Sequence, residues 1–470
     1  MNNRKVPSAV RPRGSGRIGR RNLLGQRLGE KGGQTRQRLL DAVVELTKTT
    51  SIRNLRVAQI ARLADASPAT FYVYFRDVYD AVLALAQRTT QSAEDLLALL
   101  ADSWEQDADA KASAFVAKYV AHWQANAAIF RIRNLASEEG EVDFYMARVN
   151  AVVPLIELMA VRLRDRARTI GLDSRALAGV LLSMIETISQ FGSARPVLGI
   201  SPEKMMQVGS YFLALFVGGP RSAGFRTAAP PRRLVFAPDE TGRRRSADHG
   251  ATLGAKGQRT RARVIEATRT LLATHSLREL GTADIAKAAG ISKGTFYEYF
   301  NDAPDAVLVA VDEATDMEPL NASLRQVAAA SGPSLGAYEF LNEYIEWSRD
   351  RSAVIRVRNV AADEGDIRFL KSRITSAGPL LRTLASSIAD RQREGTLPAH
   401  LDGISTAGCV LAMSERLAVA IAHDLVPGVT ARNMVEAGAQ VLSVLLGGEP
   451  LAFSRTRPHD AEADVPALTG

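Results

Sequence analysis

Ala289-Gly290-Ile291-Ser292-Lys293-Gly294-Thr295-Phe296-Tyr297-Glu298-Tyr299-Phe300 has a counterpart in the same chain, Ala64-Asp65-Ala66-Ser67-Pro68-Ala69-Thr70-Phe71-Tyr72-Val73-Tyr74-Phe75. In each stretch a residue that tolerates φ > 0, Gly290 or Asp65, precedes by two a serine placed to cap a helix, Ser292 or Ser67. Pro68 then suits a first helical position. Phenylalanines four apart, Phe296 and Phe300 or Phe71 and Phe75, mark one buried face of that helix. Thr295, Tyr297 and Tyr299, with Thr70, Tyr72 and Tyr74, point elsewhere. Upstream, Thr282 to Ala289 and Val57 to Ala64 read as a short helix with Ile285 and Ala286, or Ile60 and Ala61, turned inward. Before that, Val264, Ile265, Leu271 and Leu272, like Leu39, Leu40, Val43 and Leu46, recur at helical spacing. The pattern is a helix-turn-helix, whose second helix enters the major groove while its partner braces the DNA backbone.

Working outward, the correspondence covers a whole domain. Thr35 to Leu83 aligns on Thr260 to Leu308 at a constant offset and without a gap, and 24 of 49 positions are identical. It continues from Ile129-Phe130-Arg131-Ile132-Arg133-Asn134 onto Val354-Ile355-Arg356-Val357-Arg358-Asn359, and from Pro154 onto Pro379. Beyond Pro379 the offset grows by four, the extra positions lying near Gly395 to His400, so that Ala178-Gly179 aligns on Ala407-Gly408. The period is too long for a solenoid repeat, so the chain reads as a duplicated domain of roughly 190 residues.

With 470 residues and 46% apolar content, the chain can bury two cores without staples. Its single cysteine, Cys409, lies in the apolar run Gly408-Cys409-Val410-Leu411, which excludes an intrachain disulfide and suits a reducing cytoplasm. No apolar stretch of signal-peptide length opens the chain, and no run approaches the ~18 residues that cross a bilayer. The expectation is a cytoplasmic, nucleoid-associated protein with no membrane partner. Of the net charge of +8, much sits in two tracts: residues 1–38 hold eleven Lys or Arg against Glu30, and residues 221–263 hold eleven against three acids. These read as disordered basic arms, suited to phosphate or minor-groove contacts.

Both signature stretches resemble the DNA-binding signature of the TetR family of bacterial transcriptional regulators. The resemblance implies an all-α fold in which three N-terminal DNA-binding helices precede about six more, which make a ligand pocket and a dimer interface. By the same resemblance Thr70, Tyr72, Tyr74, Lys293, Thr295, Tyr297 and Tyr299 fall on phosphate and groove contacts. Arg36, Ser67, Pro68, Ala69, Val73, Thr282, Ser292, Gly294 and Glu298 complete the expected DNA-facing set. Copy one departs from the pattern, with Pro68 and Ala69 where copy two has Lys293 and Gly294, and Val57 where it has Thr282, whose hydroxyl could cap a helix or reach a phosphate. Both copies lack the lysine the family often carries just after the signature, having Val78 and Ala303.

The expected division is a basic arm over 1–30, a DNA-binding head over 31–82 and a regulatory body over 83–220. A linker over 221–252 follows, then a second head over 253–307, a second body over 308–449 and a tail over 450–470. TetR-like regulators work as symmetric dimers, whereas this chain carries two heads of its own. A flexible linker of about 32 residues spans about 30 Å on average and holds the copies at an effective concentration up to about millimolar. An intramolecular pseudo-dimer is therefore expected, with further pairing between chains left open. For its interface the sequence offers Ala178, Gly179, Leu182 and Ile185 with Ala407, Gly408, Leu411 and Met413 or Ser414, then Gly209, Phe212 and Phe216 with Gly438, Val441 and Leu445. Such stripes also suit plain core packing. Because exposed recognition-helix side chains select bases, unlike copies predict an imperfect or asymmetric double-stranded operator.

Helices over about Ala108–Arg168 and Gly336–Arg393 are expected to enclose a small apolar effector. Trp123, Phe130, Phe144, Met159 and Met184, with Trp347, Phe369 and Met413, are candidates for the wall, although such stripes are more often core. The Arg-rich pair Arg131 to Asn134 and Arg356 to Asn359, with acids and a glycine at 138–140 and 363–365, reads as ion pairs closing on a helix C-cap. The alternative is a switch coupling ligand to the heads. Six scattered histidines and the lack of a phosphate loop or nucleophile elbow argue against an enzyme, a metal or a cofactor. The rival to a ligand-responsive repressor is an interaction or architectural protein with one degenerate head and no effector.

Overall fold

The computed structural model describes residues 22–191, 201–218 and 253–446, apart from positions 24, 49, 51, 92, 105, 106, 139, 276, 278, 330–333, 364 and 365. Residues 1–21 of the arm, the linker over 221–252 and the tail over 450–470 lie outside the described residues. Among those described there is no strand, and the fold is all-α.

Copy one runs α1 (Glu30–Thr47), a 3₁₀ turn (Ile52–Asn54), α2 (Val57–Leu63), α3 (Pro68–Tyr74), α4 (Val78–Gln91), α5 (Glu94–Ala101), α6 (Ala108–Ala125), α7 (Ala127–Glu138), α8 (Val142–Thr169), α9 (Ser174–Phe191) and α10 (Pro202–Gly218). Copy two runs α11 (Ala255–Leu272), α12 (Thr282–Ala288), α13 (Lys293–Tyr297), α14 (Ala303–Ala314), α15 (Glu318–Ala329), α16 (Ser334–Asp350), α17 (Ser352–Asp363), α18 (Ile367–Arg393), α19 (Gly403–Ala422) and α20 (Ala431–Leu446). Among the described residues seven helices follow each head, against about six expected. The chain divides into two compact units, residues 1–95 with 125–153 and residues 96–124 with 154–470.

In the first unit, Leu39, Leu40 and Val43 of α1, Ile60 of α2, Phe71 of α3 and the following Phe75 close on Val82 and Leu85 of α4, and the same core continues into Ile129 of α7 and Phe144 of α8. The head therefore does not stop at residue 82. That boundary falls inside α4, whose Ala81, Val82, Leu85 and Ala86 are all buried. Burying each large apolar side chain stabilises by about 1.5–3 kcal/mol, so α4 belongs to both layers. A second correction concerns the arm. Asn22 to Gln26, expected to be disordered, makes a turn in which Asn22 Oδ1 accepts the Gln26 N–H at 2.8 Å, and the Leu23 N–H donates to Val73 O on α3 at 3.0 Å.

In the second unit the same core recurs at the aligned positions of copy two. Val264 and Ile265 of α11, Ile285 of α12, Phe296 of α13 and Phe300 meet Val307 and Val311 of α14, then Val354 and Val357 of α17 and Phe369 of α18. Here too the expected boundary, at 307, falls inside a helix. The rest of this unit is a layer of long helices in which α19 packs on α9, α10, α16, α18 and α20. Such burial on most sides explains why α19 is largely apolar, with Glu415 and Arg416 its charged residues. Contrary to the sequence expectation, α8 and α19 are long and apolar enough to cross a membrane by length and composition; the α19 window is 67% buried against its neighbours. Gly438 shows how close the packing is. A Cβ there would stand 2.6 Å from a Leu341 methyl and 2.8 Å from a Leu417 methyl, so any larger residue would have to displace these side chains.

Candidate nucleic-acid interface

The two heads build their turn identically. Asp65 has φ +50° and Gly290 φ +65°, the left-handed conformation the sequence required there. Ser67 Oγ then accepts the Thr70 N–H at 3.1 Å, and Ser292 Oγ accepts the Thr295 N–H at 3.0 Å. Each serine hydroxyl also pairs with the threonine hydroxyl, at 2.9 and 3.1 Å. The threonines are thus held at the start of α3 and α13 by the caps. Pro68 occupies the first helical position of α3, while α13 begins with Lys293. Thr282 does not cap α12; the cap is Gly281, whose N–H donates to Asp284 Oδ2 at 3.1 Å.

Behind the caps Phe71, Phe75, Phe296 and Phe300 are buried, and they carry the exposed tyrosines. Tyr72 stands edge-on to Phe71 at 5.7 Å and Tyr297 edge-on to Phe296 at 5.7 Å, with 54% and 56% of their surfaces exposed. Buried rings fix the direction in which these phenols point outward. Pro68, Ala69, Lys293, Gly294 and Glu298 are exposed beside them, while Val73, Tyr74 and Tyr299 are half-buried. Most of the sequence-derived residues of each head therefore gather on one short helix and its caps, while Arg36 stands on α1, Thr282 opens α12 and Tyr299 follows the end of α13.

Arg36 and its counterpart Arg261 stack over Phe75 and Phe300, 5.1 and 5.8 Å from the ring centroids. Their surroundings differ in a way the sequence reading missed. Arg261 pairs with Glu313 at 3.1 Å, and Arg269 reaches the same carboxylate at 3.4 Å. The residue aligned with Glu313 is Arg88, which donates to Gln37 Oε1 at 2.9 Å. Partial burial, then repulsion from Arg88, lowers the pKa of Arg36 from its ordinary value, although a guanidinium stays charged. Comparing positions 88 and 313 along the alignment would have revealed this reversal.

A second polar cluster joins the body of copy two. Arg358 on α17 is buried and donates to Ser376 Oγ at 3.0 Å, and the next residue, Asn359, donates to Glu415 Oε1 on α19 at 2.5 Å. Arg373 on α18 pairs with Glu415 at 3.1 Å. Burial would raise the Glu415 pKa, but Arg373 and Arg358 with the hydrogen bonds from Asn359 and Arg373 outweigh it and hold the carboxyl below its usual range. Ser372 donates to Asp312 on α14, whose carboxyl is raised by burial against the opposing pull of that bond and of Arg358. The acid that Arg373 meets comes from another helix, and the side chain at 363 with positions 364 and 365 of the expected C-cap lies outside those described. In copy one Gly140 does close α7 at φ +94°, while Glu138 pairs with Arg148 at 3.2 Å.

All eight candidate effector-wall residues, Trp123, Phe130, Phe144, Met159, Met184, Trp347, Phe369 and Met413, are buried. Phe144 and Phe369 belong to the cores that include the heads. Among the described residues no three His, Cys, Asp or Glu side chains converge as a metal site would require.

Residues 264–302 match the bacterial regulatory proteins of the tetR family, and residues 96–221 and 323–436 match the tetracyclin repressor-like C-terminal domain. The chain belongs to the TetR family. The body match falls in both halves, as a tandem duplication requires. This TetR-family member is a DNA-binding transcriptional regulator and not an enzyme; regulators of the family are soluble and cytoplasmic. A solved structure, described as the fatty acid degradation regulator FadR from Bacillus halodurans, is similar at 16% identity and a TM-score of 0.33, covering 42% of this chain and 99% of its own. Among curated proteins none matches the chain.

Proposed function

We propose that this regulator is a ligand-responsive repressor in which one chain, its two copies paired, reads an imperfect or asymmetric operator. The observation that carries the reading is the pair of heads with one cap-and-turn geometry and unlike residues on the outer side: exposed Pro68 and Ala69 and half-buried Val73 against exposed Lys293, Gly294 and Glu298. Base choice depends on the exposed side chains of a recognition helix, whereas register depends on phosphate contacts. In this reading Ser67, Thr70, Tyr72 and Tyr74, with Thr282, Ser292, Thr295, Tyr297 and Tyr299, hold phosphates, and Arg36 adds charge beside α3. Lys293 reaches a phosphate as well as a base edge and Glu298 reads bases in copy two, and Pro68, Ala69 and Val73 make apolar contacts in copy one.

The effector is a small apolar molecule received within the helices that follow each head. It acts by favouring one spacing of the heads over another, which requires different affinity for the two states. Support for coupling comes from the cluster around Glu415, which ties α17 and α18 to α19. The test is DNA affinity of the full chain with Thr70→Ala and Tyr72→Ala together, then with Thr295→Ala and Tyr297→Ala. Both pairs weaken binding in this reading. If the copy-one pair leaves affinity unchanged, the first head is architectural and the rival reading stands.

A further inference from the structure

Four helices of copy two meet at one polar point. Tyr344 on α16 and Arg358 on α17 are each only 2% exposed. Arg358 donates from Nε to Asn359 Oδ1 at 3.4 Å and from Nη1 to Ser376 Oγ on α18 at 3.0 Å. Glu415 on α19 is held in turn by Asn359 at 2.5 Å and by Arg373 at 3.1 Å, one on each oxygen. Two donors are left over. Among the described residues neither the third guanidinium nitrogen of Arg358, Nη2, nor the Tyr344 hydroxyl has a hydrogen-bond partner. Burial, then the Glu415 carboxylate, push the phenol pKa up against the pull of Arg358 and Arg373, so that Tyr344 stays protonated beside them. A buried donor that makes no bond costs its full desolvation, and here two of them face the same charges. The group also recurs in the sequence. Tyr119, Arg133, Asn134 and Arg148 stand at the aligned positions of copy one, and Glu186 aligns on Glu415, although only 13 of the 47 positions from Ala108 to Pro154 match their counterparts. Stability gives no reason to keep such a set, since apolar side chains of similar volume serve a core as well or better.

We infer that Tyr344 and Arg358 bind the carboxylate of an otherwise apolar effector in copy two. The inference rests on the effector reading above and gives that molecule a polar end. Both spare groups are donors, so what satisfies them is an oxygen that accepts. Because a guanidinium is permanently charged, and bonds between charged partners are about twice as strong as neutral ones, an ionised acceptor is preferred over a neutral carbonyl. Glu415 does not fill this role, since Asn359 and Arg373 already occupy its oxygens. Phe340 and Trp347 flank Tyr344, with ring centroids 6.4 and 6.0 Å away, and supply apolar surface for the rest of the molecule. Asn359 touches both Arg358 and Glu415, so a carboxylate that draws on Arg358 is felt on α17 and, through Asn359, on α19.

Titration calorimetry of the full chain without DNA tests this, in a Tyr119→Phe background so that the aligned hydroxyl of copy one does not contribute. The probes are benzoate, 2-naphthoate and octanoate, three carboxylates of different apolar shape, each compared with its primary amide. At least one carboxylate is expected to bind, and its amide more weakly. Tyr344→Phe is expected to weaken that carboxylate about tenfold or more, the effect of one hydrogen bond to a charged group. With no probe present, Tyr344→Phe is expected to melt no lower than its parent, because the hydroxyl it removes makes no bond in the fold. A lower melting temperature would mark the hydroxyl as structural and overturn the assignment. So would binding of no carboxylate, equal binding of acid and amide, or a Tyr344→Phe variant that binds as its parent does. Arg358→Lys keeps the charge without the fork and is expected to weaken binding too; undiminished affinity would take Arg358 out of the site. DNA affinity is then measured with and without the bound carboxylate. Binding that leaves DNA affinity unchanged keeps this site and sinks the ligand-responsive reading, whereas DNA release that Tyr344→Phe does not weaken keeps that reading and sinks the site.

Discussion

Phe71 and Phe296, Phe75 and Phe300, and Ile60 and Ile285 fill equivalent buried positions in the two heads, whereas Pro68 and Ala69 face solvent where Lys293 and Gly294 do. These inner positions are identical and these outer ones are not, although on α1 and α11 buried Leu39 and Leu40 give way to Val264 and Ile265. Within a close-packed core a change of volume is felt, so the aromatic positions on the recognition helix match and the first helix changes only among similar side chains; an exposed residue after the cap costs the fold almost nothing to change. The difference between the copies therefore concerns what they read and not how firmly they stand.

The comparison is broken most severely at the core. Phe71→Ala and Phe296→Ala should each destabilise its head by about 3–5 kcal/mol, followed by denaturant unfolding of the full chain, and similar losses are expected from both. A much smaller loss in copy one would mean that the heads are not equivalent inside.

The next effect, about 2 kcal/mol, concerns the body. Glu415→Gln weakens charge-assisted bonds from Asn359 and Arg373. Because the folded pKa of Glu415 lies below its unfolded value, its contribution is fully present above the unfolded pKa of about 4.3 and is lost as pH falls through the folded one. Thermal melts on a descending pH series should show the wild type losing stability below that range more steeply than Glu415→Gln. Equal slopes would remove Glu415 from the account.

Lys293→Ala sharpens the outer difference. It should weaken DNA binding and, by removing one phosphate-neutralising charge, flatten the salt dependence of log K by about 0.9. Pro68→Lys in copy one should steepen it. Unchanged slopes measured by fluorescence anisotropy would take this position off the DNA. The smallest effect is at the caps, where Ser67→Ala and Ser292→Ala should each cost about 1 kcal/mol, and near-equal shifts in melting temperature are expected because the bonds measure 3.1 and 3.0 Å.

What the sequence made legible was local. Spacing of Phe71 and Phe75, the capping serines and the residue that tolerates φ > 0 act within a few positions of one another, so the helix-turn-helix could be read directly. The end of the head could not, because α4 buries both its sides and the second side meets α7, which lies beyond two intervening helices in the chain. The partner of Arg373 was hidden for the same reason: it is Glu415 on a distant helix, while the side chains of the nearby acids at 363 and 364 lie outside those described. Gly209 and Gly438 were read as interface, yet a Cβ at either would meet side chains of its own copy, Ile188 and Leu341; Gly179 does face the other copy. A stripe of small residues marks close approach without naming the neighbour.

The most direct measurement of the central claim is selection of bound sequences from random DNA by the intact chain, with the mass of the protein–DNA complex determined in parallel. One chain on two unlike half-sites is the result predicted here. Two chains on a palindrome, or no enriched sequence, would contradict it.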